Sequence, residues 1–272
     1  MIPAAVRYLC ASSADEALEA LADPDAKVLA GGQSLLSVMK LRVVRPSLLV
    51  DIGRLGLGGV EARDGEIGIG ALATWDELAR APELRRPALV AIGDCAAEIG
   101  DLQVRNRGTL GGSLAHADPA SDMPAVVLAL GGRLLLYSPE GERTVEAADF
   151  FVGPFTTELR QSELILEVVV PTARPGSGSA YVKVEHPASG FALAGAAALV
   201  RPDGSSTVAL TGVGGEPVLL PDGDPVETLD EVEIFGDHFA PVEYRRHLAG
   251  VVVRRALELA RMRAEEDRGW RA

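Results

Sequence analysis

The sequence is poor in the residues that mark several common classes of protein. Cysteine occurs only at Cys10 and Cys95, which argues against a disulfide framework or a zinc ribbon, and this chain alone cannot hold an iron–sulfur cluster. Aromatic residues make up 4% of the 272 residues, too few for a large aromatic recognition surface. Lys and Arg number 26 against 39 Asp and Glu, and the resulting net charge of -13 disfavours a nucleic-acid partner.

Long apolar runs are also absent. No segment approaches the ~20 apolar residues that a membrane helix needs. The opening residues MIPAAVRYLC lack the basic start and apolar core of a signal peptide. Together with the two separated cysteines, these features lead us to expect a protein of the reducing cytoplasm.

The chain has hydrophobic residues at 47%, typical of a globular protein, and is long enough for two or three modest domains. Residues 1–55 predict a small unit, with strands at KVLA (27–30) and LLVDI (48–52) and a capping box at Ser13 and Glu16 that begins a helix. We therefore expect a first helix-and-strand subdomain over 1–55.

Residues 56–173 predict a second subdomain in which strands and helices do not alternate strictly. EIGIGA (66–71) is patterned as a strand, Thr74 and Glu77 form another capping box, and a helix over 123–130 has Ser121 or Asp122 as its N-cap. Strict alternation would indicate an α/β fold, so we predict the α+β class.

Residues 174–272 predict a C-terminal domain with a different pattern. The stretch 172–179, rich in Gly, Ser and Pro, is a candidate linker. Three consecutive strands follow, and residues 242–264 predict a long helix packed across one face of an antiparallel sheet.

Two glycine pairs stand in similar surroundings, AGGQSLL at 30–36 and TLGGSLA at 109–115. Glycine allows positive φ and lets a ligand approach the backbone closely. Successive exposed N–H groups then form a concave anion-binding nest. Two such loops facing each other could bind a diphosphate without Lys or Arg. Neither is a GxGxxG fingerprint, and no GxxxxGK[ST] motif is present.

Two other features each leave two interpretations open. His116 and Asp118 could form an acid–base couple, or His116 could be a turn residue fixed by a nearby carboxylate. The last helix carries a set of arginines that is either a solvated basic face or a surface for docking another subunit: Arg245, Arg246, Arg254, Arg255, Arg261 and Arg263.

Three longer stretches resemble a known family. AGGQSLLSVMKLRVVRPSLLVDI (30–52), QVRNRGTLGGSLAHADPASDMPAVVLAL (103–130) and YVKVEHPASGFALAGAAALV (181–200) are similar to the medium, flavin-binding subunit of the molybdenum hydroxylases, the carbon monoxide dehydrogenase and xanthine dehydrogenase family. The resemblance implies a PCMH-type, vanillyl-alcohol-oxidase-like fold whose two subdomains hold FAD. A C-terminal α+β domain follows, with an antiparallel sheet packed by helices.

The resemblance also implies which residues contact FAD. The first glycine segment comprises Leu29, Ala30, Gly31, Gly32, Gln33, Ser34, Leu35 and Leu36, and the second comprises Thr109, Leu110, Gly111, Gly112 and Ser113. Asp122 would accept a hydrogen bond from a cofactor hydroxyl or amide, Ile165 would form an apolar wall, and Lys183 would favour a reduced, anionic flavin. Ile99 would border the adenine. No catalytic or metal-binding residue is implied in this chain.

The implied activity is electron transfer by one subunit of a larger enzyme. A large partner would carry a molybdenum–pterin and a small partner two [2Fe–2S] clusters, in a dimer of heterotrimers. Electrons would pass through FAD to an external acceptor. Two alternatives stay open: a stand-alone flavin-dependent reductase of similar fold, and a scaffold that has lost flavin. The first would need its own proton donor, and the intact glycine segments argue against the second.

Overall fold

A computed structural model describes residues 2–221 and 224–269 of the chain. The first stretch contains β1 (Arg7–Cys10), α1 (Ala14–Ala20), β2 (Ala26–Leu29), α2 (Leu35–Lys40) and β3 (Leu48–Asp51). The three strands form a parallel sheet in the order β1-β3-β2. Only half of the predicted capping box forms: the Ser13 hydroxyl accepts from the Glu16 N–H, but the Glu16 carboxylate bonds to Ser12.

The second stretch forms a five-stranded antiparallel sheet covered by helices. Its strands are β4 (Val60–Arg63), β5 (Glu66–Gly70), β6 (Arg133–Ser138), β7 (Gly141–Glu146) and β10 (Leu164–Pro171), with β8 (Phe151–Gly153) and β9 (Thr156–Thr157) as a separate ribbon. The sheet order is β4-β5-β10-β6-β7, so the last strand is inserted into the centre of the sheet.

The helices of this stretch are mostly short. They are α3 (Trp75–Arg80), α4 (Val90–Glu98), α5 (Leu102–Arg105), α6 (Leu110–His116), α7 (Met123–Ala129) and α8 (Ala147–Phe150), with a 3₁₀ turn at Pro82–Arg85. The capping box at Thr74 and Glu77 forms as predicted. Asp122 is the N-cap of α7, but its side chain makes no capping hydrogen bond. Helix α7 is buried along its whole length, so it forms the centre of the largest core cluster.

The third stretch contains β11 (Gly178–Glu185), β12 (Ala192–Val200), β13 (Ser206–Thr211), β14 (Val218–Leu219), a 3₁₀ turn at Glu227–Glu231 and the helix α9 (Val242–Gly269). The strands pair in sequence order and are antiparallel, as predicted. Alanines on β12 keep that surface flat, which lets α9 pack closely across it. The predicted linker is wrong at its end, because Ser177, Gly178 and Ser179 are buried and Gly178 abuts the backbone of Ala260.

Among the described residues, one parallel sheet, two larger antiparallel sheets and the antiparallel β8–β9 ribbon, all with packed helices, confirm the α+β class. Each of the three sheets falls within one of the ranges 1–55, 56–173 and 174–272, whose boundaries remain a prediction. None of the helices in the described part of the chain combines the length and hydropathy that a membrane crossing requires.

Half of the arginines predicted to line α9 are not on a free face. Arg245 is buried and donates to the carbonyls of Leu193 and Gly212 and to Asp237. Arg246 and Arg263 also donate to backbone carbonyls. The interpretation of all six arginines as one solvated basic face is therefore wrong. The exposed arginines of the set are Arg254, Arg255 and Arg261, where docking of another subunit stays a prediction.

Candidate functional site

The two glycine segments lie side by side although they are far apart in sequence. A Cβ added at Gly31 would collide with the carbonyl oxygen of Arg107 and would lie 2.9 Å from the Cα of Gly108. A Cβ added at Gly112 would lie 3.6 Å from the Cβ of Ala30. The first segment therefore packs on the backbone that leads into the second.

The first segment is an open loop between β2 and α2. Gly32 has φ +76°, which the bulkier residues rarely adopt. The N–H groups of Gly31, Gly32, Gln33 and Ser34 donate to no residue that the structure describes, and the Ser34 hydroxyl does not cap α2. Neighbouring free amides of this kind form a nest that binds anions.

The second segment is not a loop, so that prediction is wrong. Thr109 is the N-cap of α6, and the N–H groups that follow all have acceptors within the protein. The Leu110 and Gly111 amides donate to the carbonyls of Ala73 and Ala71 at 3.0 and 2.8 Å. The Gly112 amide donates to the Thr109 hydroxyl at 3.3 Å, and the Ser113 amide to the Thr109 carbonyl at 3.1 Å.

The second segment is helical because of its N-cap residue and its packing. The Thr109 side chain provides the acceptor that a helix start requires. A Cβ at Gly111 would lie 2.7 Å from the Cβ of Ala71, so this glycine is needed for close packing against the end of β5. Contact of Thr109–Ser113 with a cofactor stays a prediction.

An apolar cleft adjoins both segments. The cavity of about 60 Å³ is lined by residues that include Ala30, Gly111, Gly112, Leu159, Glu163 and Ile165. Ile165 is 6% exposed and lies in this lining, and its contact with the flavin ring stays a prediction. Glu163 was not predicted. Its carboxylate accepts from the Arg143 guanidinium at 2.6 and 2.8 Å, which lowers the pKa of Glu163 and keeps it ionised at the back of the cleft.

Asp122 and Lys183 form a buried ion pair. The Lys183 Nζ lies 2.9 Å from Asp122 Oδ2, and the side chains are 3% and 6% exposed for Lys183 and Asp122. Lys183 also donates to the carbonyls of Glu98 and Gly190. Its three ammonium donors are thus engaged by α4, by α7 and by the turn between β11 and β12.

The electrostatics of this pair reflect its burial. Burial raises the pKa of the Asp122 carboxyl, while the Lys183 charge and the Tyr181 hydroxyl act in the opposite direction. Burial and the neighbouring Asp122 raise the pKa of Tyr181 well above its ordinary value, so the phenol remains a donor. Burial likewise raises the pKa of Cys95, which stays a neutral thiol. The cluster therefore holds one buried cation against one carboxylate.

The cluster connects to the second glycine segment. The hydroxyls of Ser113 and Ser121 lie 2.8 Å apart, and Ser121 immediately precedes Asp122. Ile99 is the C-cap of α4 and follows Glu98, whose carbonyl binds Lys183. The candidate residues thus form two groups. One consists of the glycine segments and the apolar cleft, and the other is the ion pair of Asp122 and Lys183. The starts of α6 and α7 connect the two groups.

The other sequence-level candidates lie apart from this chemistry. His116 packs against Phe155, with ring centroids 5.2 Å apart, and Asp118 accepts from the Ala120 N–H. No hydrogen bond joins His116 to Asp118 in the described residues, so the interpretation of His116 as a turn residue fixed by that carboxylate is wrong, and no contact supports the acid–base couple. Gln33 is exposed.

Sequence reasoning missed Tyr181, whose hydroxyl lies 2.5 Å from Asp122 Oδ1. A signal was present, because Tyr181 and Lys183 are two residues apart on a predicted strand and must share a face. Nothing in the sequence showed that this face would meet Asp122.

The free amides of the first segment and the apolar cleft are thus adjacent, and a diphosphate site at these amides stays a prediction. A family model described as the FAD binding domain in molybdopterin dehydrogenase matches residues 4–173. The carbon monoxide dehydrogenase medium chain of Hydrogenophaga pseudoflava is 35% identical, over 96% of this chain and 98% of that protein. The nicotine 6-hydroxylase medium subunit of Paenarthrobacter nicotinovorans is 34% identical, over 93% of this chain and 96% of that protein.

Solved structures agree with these relatives. Carbon monoxide dehydrogenase from Hydrogenophaga pseudoflava matches with a TM-score of 0.91 and 34% identity, over 97% of this chain and 99% of that chain. The chain belongs to the FAD-binding medium subunits of the molybdenum hydroxylases. It is an oxidoreductase subunit whose cofactor is FAD, as the resemblance predicted.

Proposed function

We propose that this chain is the electron-transfer subunit that holds FAD between the [2Fe–2S] clusters of a small partner subunit and an external electron acceptor. The single observation that supports this most is the row of four N–H groups, Gly31 to Ser34, that have no acceptor among the described residues and lie beside the apolar cleft at Ile165. Gly31 and Gly32 are half-buried and Gln33 and Ser34 are exposed, so these neighbouring donors are open to a ligand, and such a row favours an anionic one.

The residues of the first segment would bind the diphosphate. The amides of Gly31, Gly32, Gln33 and Ser34 donate to phosphate oxygens, and Leu29, Ala30, Leu35 and Leu36 keep the loop in place. Local dipoles suit a chain of net charge -13, whose overall field repels a dianion. Thr109–Ser113 would lie close to the same cofactor, because Gly111 and Gly112 have no bulky side chains to keep it away.

The apolar and charged parts would act on the ring system. Ile165 excludes water from one side of the cleft, and Ile99 borders the adenine. Asp122 accepts a hydrogen bond from a hydroxyl or amide of the cofactor, and the buried Lys183 charge favours added negative charge nearby. When bound, FAD supplies the redox chemistry, accepting electrons singly and passing them on in pairs.

The partners follow from the same proposal. A large subunit with a molybdenum–pterin would oxidise the substrate, a small subunit would hold two [2Fe–2S] clusters, and the complex would be a dimer of heterotrimers. This chain has no cluster-binding cysteines, because Cys10 and Cys95 are its only thiols. Both thiols are free, which fits a reducing cytoplasm.

The proposal is tested by co-expressing this chain with the large and small molybdenum hydroxylase subunits of the same organism. We expect one complex that contains FAD, iron and molybdenum, and whose flavin absorbance bleaches after the clusters are reduced by substrate. A matched complex with Gly31→Ala in this chain should keep its iron and molybdenum but lose FAD.

Two results would overturn the proposal. One is that the chain purifies alone and has no affinity for iron–sulfur or molybdenum subunits. The other is that the isolated chain with FAD turns over a nicotinamide cofactor and a small substrate without partners, which would indicate a stand-alone reductase.

A further inference from the structure

Tyr181 occupies the inner face of β11 toward α4 and α7. It is 3% exposed and belongs to the core cluster that surrounds α7, whereas its neighbours Ala180 and Val182 pack toward α9. A fully buried phenol needs a partner for its hydroxyl. That partner is Asp122 Oδ1 at 2.5 Å.

The hydroxyl and Lys183 hold the two oxygens of one carboxylate. Tyr181 donates to Oδ1 and Lys183 donates to Oδ2 at 2.9 Å, so the plane of the carboxylate is fixed from both ends. Lys183 is itself held by the Glu98 and Gly190 carbonyls. Asp122 is therefore held in one orientation. Each carboxylate oxygen has a second lone pair that could accept one further hydrogen bond.

The opposite strand leaves room for the hydroxyl. A Cβ added at Gly195 on β12 would lie 2.5 Å from the Tyr181 hydroxyl oxygen and 2.9 Å from the Thr211 Cγ2. Gly195 thus accommodates the phenol in the position that reaches Asp122. This arrangement needs Tyr at 181 and Gly at 195 together.

We propose that Tyr181 is a positioning residue for FAD binding, whose hydroxyl fixes the Asp122 carboxylate in the orientation that accepts a hydrogen bond from the cofactor. The proposal rests on the proposed function, which brings Asp122 to FAD. The location supports it, because Ser121, next to Asp122, contacts Ser113 of the second glycine segment at 2.8 Å.

The charged and polar groups around Asp122 determine how its pKa should change in a variant. The groups that act on it or adjoin it are Lys183, Tyr181 and Glu185 on β11 and Cys95 and Glu98 on α4. Burial raises the Asp122 pKa and the Tyr181 hydrogen bond lowers it. Losing the hydroxyl should therefore raise this pKa further, so that the carboxylate is protonated at a higher pH.

The test measures the dissociation constant of FAD against pH for the full chain and its Tyr181→Phe variant. We expect FAD binding to weaken about tenfold near neutral pH, since a hydrogen bond to a charged group is lost. We also expect the acid limb of the profile to move to higher pH. The matched control is Tyr8→Phe, which removes a 2.5 Å phenol bond to Asp51 on an exposed surface and should change neither quantity.

Asp122→Asn separates positioning from simple packing. If Tyr181 acts through the Asp122 carboxylate, Tyr181→Phe added to Asp122→Asn should change FAD affinity less than twofold and leave no acid limb. An equal effect of Tyr181→Phe in both backgrounds would overturn the proposal. Should Tyr181→Phe not fold, Gly195→Ala displaces the hydroxyl instead, and an unchanged pH profile in that variant overturns it as well.

The two failures are distinguishable. Wild-type chain that does not bind FAD would refute the proposed function. Wild-type chain that binds FAD, with a Tyr181→Phe profile superimposed on its own, would refute only the role of Tyr181.

Discussion

The two glycine segments share a Gly-Gly pair followed within three residues by Ser-Leu, yet they are built differently. In 29–36 the pair lies in a loop whose amides at Gly31–Ser34 have no acceptor among the described residues. In 109–113 the pair lies inside a helix, and the four amides from Leu110 onward are all bonded. A glycine pair therefore marks either free backbone amides or close packing, and the residues around the pair determine which of the two forms.

The neighbours explain the two outcomes. The first pair follows a parallel strand, β2, and turns away from the sheet before α2 begins. The second pair follows Thr109, which bridges to Thr74 so that two helices start side by side. The carbonyls of Ala71 and Ala73 then face the Gly111 and Leu110 amides and occupy them.

Amide hydrogen exchange should show the largest difference between the segments. Without FAD, the amides of Gly31–Ser34 should exchange far faster than those of Leu110–Ser113, because only the latter are hydrogen-bonded. With FAD at 100 times its dissociation constant, exchange at Gly31–Ser34 should slow about 100-fold. Slow exchange of the first segment in the FAD-free chain would contradict the comparison.

Gly111→Ala should chiefly lower stability. The new Cβ would lie 2.7 Å from the Cβ of Ala71, and overpacking of this kind costs about 1–3 kcal/mol. Urea unfolding measures the loss. The double variant Gly111→Ala/Ala71→Gly removes the nearer contact and should recover part of the stability; a double variant no more stable than Gly111→Ala would disprove the packing role.

Gly32→Ala should chiefly lower FAD affinity. A left-handed Ala costs roughly 1–2 kcal/mol, and relaxing that strain moves the neighbouring amides, so we expect FAD to bind about tenfold more weakly. Gly65→Ala is the matched control, since Gly65 has φ +77° against +76° for Gly32 and nothing within 4 Å of its Cβ position. FAD titrations followed by flavin fluorescence should show weaker binding for Gly32→Ala than for Gly65→Ala. Equal FAD affinities of the two variants would contradict the proposed nest.

The helix caps should show the smallest difference. Thr109→Ala removes the acceptor of the Gly112 amide and should cost about 1 kcal/mol of unfolding free energy. Ser34→Ala removes a hydroxyl that caps nothing and should stay within about 0.5 kcal/mol. Thermal or urea unfolding of the two variants measures these changes. An equal loss of unfolding free energy in both variants would mean that the two helix caps do not differ.

Much of the fold and part of the site could be predicted from local pattern. The Thr74–Glu77 capping box and the run of three strands after the candidate linker formed as the sequence indicated. The second glycine segment could not be read in this way, because its helix depends on Ala71 and Ala73, about 40 residues earlier in the chain. The arginines of α9 failed for a similar reason, since the acceptors of Arg245 lie on β12 and the loop after β13.

By itself the sequence determined the α+β class, the family and the residues that carry the resemblance, because periodicity, caps and motif spacing are properties of neighbouring residues. Only the tertiary structure decided which amides are free, that Tyr181 and Lys183 hold the two oxygens of Asp122, and that Glu163 backs the cleft. The hydrogen bonds of Asp122 and Glu163 join residues 20 to 61 positions apart. Their partners are chosen by how the sheets and helices pack and by which polar groups burial forces together.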